Sequence, residues 1–304
     1  MKDLSIDRPS AEEAERIMKN MYHSIPESSS GMYSLSELRP VEEVYYDFLK
    51  KGDSLIVLRN GSEIAGHVHF GPQREDRVST EEKGHIYDLY VDKKCRGKGA
   101  GRLLLQEAVN ELRNSSYVTV TANTYRNGAG WRLLKSEGFS ETKVSFSFSR
   151  IYGAFNESEF EIFRGVPEDL RALFTELSCT AKSIRDQLSV TASELFFTLN
   201  NALDSGGRVL ICQHEKETVG LLIYSIFEDL MTFNYLGFVE FILVGSRFRR
   251  KGIGQSLLSF LSEDLSKNGV DQTFFECVFD SDYHKWSELV GMREFSVLLE
   301  KSFE

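Results

Sequence analysis

The chain has 304 residues, of which 41% are hydrophobic, and its 36 Lys and Arg residues against 46 Asp and Glu residues give a formal net charge of −10 at pH 7. This apolar content is sufficient for two compact cores. The acidic balance disfavours nucleic acid and anionic membrane surfaces as partners, because both repel an acidic protein.

The cysteines and the start of the chain indicate its compartment. Cys95, Cys179, Cys212 and Cys277 are far apart in the sequence, and none belongs to a C-x-x-C pair. This spacing argues against a zinc site or a disulfide framework and favours a reducing compartment. The first residues have no signal-peptide core, and no apolar run approaches membrane-spanning length. We therefore expect a cytoplasmic protein with no metal, membrane or nucleic-acid partner, and its oligomeric state is left open.

The N-terminal residues predict a strand and then a helix. Residues 4–9 have the pattern of a short edge strand, and Ser10 with Glu13 three positions later is a capping-box signature at a helix start. Residues 23–32 are rich in Ser, Pro and Gly and are predicted to form a loop. A second helix is predicted over residues 41–51.

A β-hairpin is predicted next. Residues 54–59 and 63–70 are two strand-like runs around an Asn-Gly step at 60–61, which is a strong turn signal. His67 and His69 share one face of the second run, because side chains alternate along a strand. They are candidates for metal ligands or a proton relay. Because no third ligand is nearby in the sequence, we favour the interpretation that both histidines are ordinary strand residues that line a cleft.

The stretch from residue 84 to residue 112 organises the first half of the chain. Residues 86–91 predict a strand, 96–101 a turn with three glycines, and 102–112 an amphipathic helix with one apolar stripe. The glycines allow the backbone to approach a ligand closely, and the helix start adds N–H groups and the positive end of its dipole. Arg96 and Lys98 add full charges. The turn therefore predicts a phosphate or pyrophosphate site.

Two common phosphate motifs do not match this turn. No Lys-Ser or Lys-Thr follows the spacing that a Walker loop requires. The dinucleotide fingerprint G-x-G-x-x-G also fails, because Arg102 stands where the third glycine is needed after Gly97 and Gly99. What remains is the pattern Arg-x-x-Gly-x-Gly after a strand that ends in Asp-Leu-Tyr-Val.

The remainder of the first half predicts three further elements. Residues 117–122 form a strand, a helix starts at Asn127, and residues 144–151 form the last strand of this half. Residues 153–158 are polar without a periodic pattern, so we place a domain boundary there.

The second half repeats the first. Residues 209–212 and 219–224 predict a second hairpin, 239–244 a strand, 249–254 a basic glycine turn and 256–261 the start of a helix. Three pairs of matching positions share a spacing of 153 residues: Arg96 and Arg249, Val91 and Val244, and Gly138 and Gly291. The chain is therefore an internal duplication with domain-sized repeats. We predict two mixed α/β domains, residues 1–152 and residues 158–304.

The turn and its strand resemble the acetyl-CoA loop of the GCN5-related N-acetyltransferases (GNAT). The resemblance implies two tandem acyl-CoA N-acyltransferase domains with an α/β mixed sheet. It further implies that acetyl-CoA is the co-substrate and that an acetyl group passes to an amine of a small molecule or peptide. In this family the region between the first two helices shapes the acceptor pocket, which would here include residues 23–32.

The resemblance also assigns cofactor contacts. In this family the strand backbone holds the pantetheine arm, the turn holds the pyrophosphate, and an asparagine is common at the start of the following helix. The corresponding residues are Leu89, Tyr90, Val91, Arg96, Gly97, Lys98, Gly99, Ala100, Gly101 and Asn127 in the first half, and Ile242, Leu243, Val244, Arg249, Arg250, Lys251, Gly252, Ile253 and Gly254 in the second.

Family members often place a carboxylate on the strand before the turn, where it takes the proton of the attacking amine. Asp88 and Glu240 are the candidate catalytic residues. By the repeat spacing Glu240 matches Tyr87, so the two carboxylates are not equivalent, since neighbouring strand residues face opposite sides. A carboxylate that fixes a neighbouring loop is the alternative role for each.

One departure from the family pattern concerns the leaving thiolate. A tyrosine often protonates it, four residues before the glycine of a Gly-Phe step, but Leu134 and Ser287 stand at those positions. A thiolate leaves with modest help, since a cysteine-like pKa is about 8.5. The alternative to an enzyme is a non-catalytic acyl-CoA-binding or structural protein with one or both sites degenerate. We favour the first half as the cofactor site.

Overall fold

The structure is a computed structural model that describes residues 4–17, 49, 51–74, 82–153, 159–165, 201, 203–204, 206–229, 232 and 234–303. These residues form two compact units. Unit 1 contains the described residues up to Thr142, Thr232 and those from Ser296 onward, and unit 2 contains those of Lys143–Asp229 and Asn234–Phe295. The described helices are each too short or too polar to traverse a lipid bilayer.

Unit 1 has a mixed sheet in which one pair of neighbouring strands is parallel. Its strands are β1 (Leu4–Asp7), β2 (Ser54–Asn60), β3 (Glu63–Pro72), β4 (Gly84–Val91), β5 (Thr119–Thr124) and, from residue 296 onward, β12 (Arg293–Ser302). They lie in the order β1, β2, β3, β4, β5, β12. The pair β4–β5 is parallel and the other pairs are antiparallel.

Two helices of unit 1 follow the strands that matter for the site. Helix α1 (Ala100–Asn114) follows β4, and helix α2 (Ala129–Ser136) follows β5. The predicted apolar stripe of α1 is confirmed, since all five of its members are buried: Leu104, Leu105, Ala108, Val109 and Leu112. Gly66 of β3 allows α1 to pack closely, because a Cβ at this position would lie 3.1 Å from the Leu104 side chain and 2.6 Å from the Tyr90 carbonyl.

The predicted capping box at the N-terminus is confirmed. The Ser10 backbone N–H donates to the Glu13 carboxylate at 2.9 Å, and the Glu13 N–H donates to the Ser10 hydroxyl at 3.2 Å. Helical residues 11–17 follow. The predicted loop over residues 23–32 and almost all of the predicted helix over 41–51 lie outside the described residues.

Unit 2 repeats this architecture. Its strands are β6 (Ser140–Phe148) from residue 143 onward, β7 (Glu161–Gly165), β8 (Arg208–His214), β9 (Glu217–Glu228), β10 (Tyr235–Val244) and β11 (Thr273–Val278). Its helices are α3 (Ile253–Lys267) and α4 (Asp282–Leu289). The strands lie in the order β6, β11, β10, β9, β8, β7. The pair β10–β11 is parallel, as β4–β5 is in unit 1.

The hairpins form where the sequence predicts them, with a small shift in one turn. In the first hairpin Asn60 still pairs with Glu63, so the turn consists of Gly61 and Ser62 and not of the Asn-Gly step. Gly61 has φ +64°, a left-handed conformation that glycine adopts without a steric penalty.

The strand that pairs with β5 and the strand that pairs with β11 each come from the other half of the sequence. Strand β12 pairs with β5, with Val297 opposite Thr124. Strand β6, which the sequence predicts as the last strand of the first half, pairs with β11, with Val144 opposite Cys277. The two registers are equivalent, since both pairs of residues are shifted by 153 positions. Strands β6 and β12 therefore occupy equivalent positions beside β11 and β5. The predicted boundary between residues 152 and 158 remains a prediction.

Candidate functional site

The predicted pantetheine strands leave their parallel neighbours near the middle of each sheet. The pairing of β4 with β5 runs from Gly84 to Ile86 only, and the pairing of β10 with β11 runs from Gly237 to Val239 only. The last residues of β4 and β10 therefore present backbone groups on this side for other partners. This geometry suits the extended arm that the sequence analysis assigns to these strands.

A β-bulge precedes each of these strand ends. In unit 1, His69 pairs with Asp88 and Phe70 with Ile86, so Tyr87 is the extra residue. In unit 2 the same irregularity makes Glu240 the extra residue of β10. The structure therefore matches Glu240 with Tyr87, as the repeat spacing predicts. The residue of unit 2 that matches Asp88 is Phe241.

The two glycine turns have the same backbone conformation. Gly97 and Gly99 have φ +73° and +84°, and their counterparts Arg250 and Gly252 have φ +63° and +82°. In both turns the last of these residues is the N-cap of the helix and makes no side-chain capping bond. Backbone N–H groups at each helix start are thus available to an anion. A Cβ at Gly97 or Gly99 would meet nothing within 4 Å, so there is open space in front of the turn.

Arginines tie each turn to the end of its strand. Arg96 Nε donates to the Val91 carbonyl at 2.8 Å, and Arg249 Nε donates to the Val244 carbonyl at 3.3 Å. The Arg96 guanidinium also lies 5.6 Å from the centroid of the Tyr90 ring. These contacts hold positive charge beside the turns and fix the turn on the strand.

A cavity of about 740 Å³ lies at the turn of unit 2. Its walls include the strand end at Ile242, the turn residues Arg249 and Gly252, and Tyr283 and Trp286 of α4. The Tyr283 hydroxyl donates to the Ile242 carbonyl at 3.0 Å, and burial raises the pKa of this phenol, so it remains a donor at neutral pH. It occupies one of the carbonyls predicted to bind the pantetheine arm.

The matching position in unit 1 is Gly130, which has no side chain that could reach the Leu89 carbonyl. The strand end of unit 1 is therefore more accessible in this respect. Sequence reasoning missed the role of Tyr283, although the repeat spacing pairs it with Gly130.

Asp88 is paired with a buried histidine. His67 Nε2 lies 2.8 Å from Asp88 Oδ2, and the His67 ring stacks on Tyr90 with a centroid distance of 5.5 Å. The His67 side chain is 5% exposed and that of Asp88 is 26% exposed. The Asp88 carboxylate is thus partly exposed to solvent, whereas its histidine partner is buried. The sequence predicts an ordinary strand residue at position 67. The contact of His67 with Asp88 depends on the register between β3 and β4, which the sequence does not indicate.

Glu240 has different surroundings. Its Oε1 accepts a hydrogen bond from the Ser225 hydroxyl at 2.6 Å. Ser225 pairs with Phe238 on the neighbouring strand. Glu240 therefore accepts a hydrogen bond from a hydroxyl group, whereas Asp88 is paired with a histidine.

A second buried polar group lies beside the first in unit 1. His69 Nε2 lies 2.9 Å from Asp53 Oδ2, and Arg74 donates to the same carboxylate. Burial opposes the ionisation of Asp53, but the hydrogen bonds from His69 and Arg74 outweigh it and lower its pKa. His85 Nδ1 lies 2.7 Å from the Thr121 hydroxyl. These contacts form a buried polar network inside the unit, in which His69 Nδ1 has no hydrogen-bond partner among the described residues.

The buried His85 predicts that stability falls in mild acid. Burial lowers the pKa of His85 to about 4, with a smaller contribution from the charge of His69. The unfolded value is about 6.5, so between these values the unfolded chain binds a proton that the folded chain does not. The contribution of neutral His85 to the free energy of unfolding is fully present above about pH 6.5. It is lost as the pH falls toward 4, by up to about 1.4 kcal/mol per pH unit.

Urea unfolding at pH 7.5 and pH 5.0 measures this effect, with His85→Gln expected to reduce the loss. His214→Gln, a change at a half-exposed histidine of β8, is the control. An equal loss of stability in His85→Gln and the natural protein would contradict the assignment.

The predicted helix-start residues lie just before their helices. Asn127 and Asp280 both have positive φ, +64° and +57°, and helix α2 begins two residues after Asn127. The Asn127 carbonyl accepts a hydrogen bond from Arg132 at 2.8 Å. Leu134 and Ser287, at the positions of the family tyrosine, are both buried.

One cluster among the described residues has the composition of a metal site: His284, Glu288 and Glu294. The Asp280 backbone N–H donates to His284 Nδ1 at 3.0 Å. The neutral ring therefore carries its hydrogen on Nε2, the nitrogen that faces Glu288, and has no lone pair there for a cation. The cluster is better explained as a hydrogen-bonded histidine.

The sequence matches one family of known proteins over both halves of the chain. The model of a family described as "Acetyltransferase (GNAT) family" matches residues 18–139 and 170–285. No curated protein matches the chain.

Several solved structures share the fold. A GCN5-related N-acetyltransferase from Sphaerobacter thermophilus has a TM-score of 0.61 and 16% identity, over 99% of this chain and 96% of that one. A tandem GNAT protein from the clavulanic acid biosynthesis pathway has a TM-score of 0.51 and 13% identity, over 99% and 98% of the two chains. A glucosamine N-acetyltransferase region of a fungal multi-domain β-N-acetylglucosaminidase has a TM-score of 0.58 and 14% identity, over 98% of this chain and 38% of that one. At these identities the likeness shows the fold alone.

Proposed function

Because the chain belongs to the acetyltransferase (GNAT) family, we propose that it transfers an acetyl group from acetyl-CoA to an amine of a small molecule or peptide. The predicted tandem form of two GNAT domains with a mixed sheet is confirmed. The class of the acceptor and the dependence on acetyl-CoA are parts of the proposal.

The paired glycine turns are the observation that supports this proposal most directly. Each turn follows a strand whose end is released from its parallel neighbour, and each presents helix-start N–H groups. The open space in front of Gly97 and Gly99 fits a diphosphate, which a Cβ there would crowd. Residues 96–101 and 249–254 would hold the diphosphate, and the backbone of residues 89–91 and 242–244 the pantetheine arm.

The reaction requires one proton acceptor. When bound, acetyl-CoA supplies a thioester carbonyl. The amine nitrogen forms a C–N bond with this carbon while the C–S bond breaks, and the sulfur keeps the electron pair as a thiolate. A strand amide would stabilise the developing oxyanion, and the amine proton would pass to a carboxylate, for which Asp88 and Glu240 are the candidates.

Thiol release from acetyl-CoA across a panel of amines tests the proposal. We expect an acetylated product of the expected mass for at least one class of amine, and we expect Asp88→Asn to reduce turnover by about 100-fold or more. Asp88→Asn keeps the size of the side chain and removes the proton acceptor. Release of thiol without an acetylated amine, or full activity of Asp88→Asn, would contradict the proposed chemistry.

A binding protein without catalysis is the second candidate function, and unit 2 supplies the observation that favours it. There Phe241 replaces the carboxylate at the position of Asp88, and Ser287 stands at the position of the family tyrosine. Calorimetry with acetyl-CoA distinguishes the two functions. Tight binding with no turnover for any amine would support the binding protein.

A further inference from the structure

The pair of His67 and Asp88 lies on the sheet face opposite helix α1. The side chains of Leu89 and Val91 lie near Gly101 of α1, at 3.7 Å and 3.6 Å from the position of its Cβ. Because side chains alternate along a strand, Asp88 and Tyr90 point to the other face. His67 pairs with Tyr90 across the strands and reaches Asp88 on that face.

The same positions of unit 2 are all apolar. The register of β9 with β10 matches Leu221, Phe241 and Leu243 to His67, Asp88 and Tyr90. Leu221 and Leu243 are buried. The chain thus contains two copies of one strand pair, with a polar set in one copy and an apolar set in the other.

The apolar residues of unit 2 indicate that His67 and Asp88 have a functional role and not a structural one. Unit 2 forms the same strand register, bulge and turn without any polar group at these positions. Burying a histidine against a carboxylate costs desolvation, and apolar residues of similar volume are often neutral or stabilising in such places. The fold therefore does not require the pair of His67 and Asp88.

We propose that His67 is a positioning residue that holds Asp88 in place as the proton acceptor, and that acetyl transfer is confined to unit 1. This inference rests on the proposed function. With Asp88 ionised, His67 Nε2 carries the hydrogen and donates it to Oδ2, so that Oδ1 is the carboxylate oxygen that would accept the proton of the amine. The amine proton passes to Oδ1 as the C–N bond forms, and His67 keeps its own proton throughout.

Two substitutions of His67 test its role. His67→Leu removes the N–H donor and is expected to lower kcat about 100-fold while KM for acetyl-CoA stays within about 3-fold. His67→Gln places an amide N–H near the position of Nε2 and is expected to keep kcat within about 10-fold of the natural protein. His214→Gln, a histidine change outside the site, is expected to have no effect. A purely structural role of His67 would not separate kcat from KM in this way.

The double variant His67→Leu with Asp88→Phe transplants the residues of unit 2 into unit 1. It is expected to unfold at the same urea concentration as the natural protein or higher, to bind acetyl-CoA with unchanged affinity, and to lose turnover by about 100-fold or more.

The outcomes separate this inference from the proposed function. A natural protein that binds acetyl-CoA but acetylates no amine ends the proposed function and this inference with it. An active natural protein with an equally active His67→Leu variant overturns only the inference. So does a double variant that is strongly destabilised, because the pair would then be needed for folding.

Discussion

Replacing Gly99 with glutamate is expected to weaken acetyl-CoA binding to unit 1 by about 100-fold or more. Gly99 has φ +84°, a conformation that costs a side-chain-bearing residue about 1–2 kcal/mol. A carboxylate at this point would also face the diphosphate that the turn is proposed to hold, and like charges in contact cost several kcal/mol. Isothermal titration calorimetry with acetyl-CoA measures the loss as a change in affinity and in the number of sites.

Two matched variants separate the causes. Gly99→Asn keeps a residue type that tolerates left-handed backbone and adds no charge, so it is expected to stay within about 10-fold of the natural affinity. Gly252→Glu makes the same change in unit 2, where φ is +82°. If the two glutamate variants each remove one binding event, both turns bind the cofactor. Unchanged binding in both variants would show that the turns are not the diphosphate site.

Removing strand β12 is expected to disrupt unit 1, although β12 is the last strand in the sequence. Leu299 of β12 is fully buried and pairs with Ala122 of β5. Without residues 293–304, β5 would become an unprotected sheet edge and the core would lose Val297 and Leu299. Hydrogen exchange measured by mass spectrometry is expected to show faster exchange in peptides that cover β5, and urea unfolding is expected to shift to lower concentration.

A point substitution gives a milder version of this test. Leu299→Ala is expected to cost about 2–5 kcal/mol of unfolding free energy, the usual range for a buried leucine. Leu289→Ala is the matched control, because Leu289 is 84% exposed and its loss is expected to change stability by less than about 0.5 kcal/mol. Normal protection of β5 in the truncated chain would refute the assignment of β12 to unit 1.

The local elements could be predicted from the sequence because their signals are local. The apolar residues of α1 recur with the period of a helix, and the residues that this period places on one face are buried in the structure. The positive φ values of Gly97 and Gly99 follow from glycine chemistry, and the capping box needs only Ser10 and Glu13. The internal duplication could be predicted as well, since one spacing links three pairs of residues.

The partner of Asp88 could not be predicted in this way. Asp88 lies 21 positions from His67 in the sequence, and a bulge at Tyr87 shifts the register between their strands by one residue. Nothing in the local sequence marks this bulge, and a one-residue shift changes which side chains meet across a pair of strands. The contact of Tyr283 with the Ile242 carbonyl is likewise a result of packing between a helix and a strand end.

The sequence by itself determined the repeated strand, turn and helix, and with them the family and the candidate diphosphate sites, because each depends on residues close together in the chain. Only the tertiary structure decided which strand pairs with β5, which strand pairs with β11, and which side chain faces Asp88. The two registers Val144–Cys277 and Val297–Thr124 are equivalent, so strand pairing alone does not select between a strand of the same half and one of the other half. That choice, and the bulge that brings His67 to Asp88, depend on how distant segments pack together.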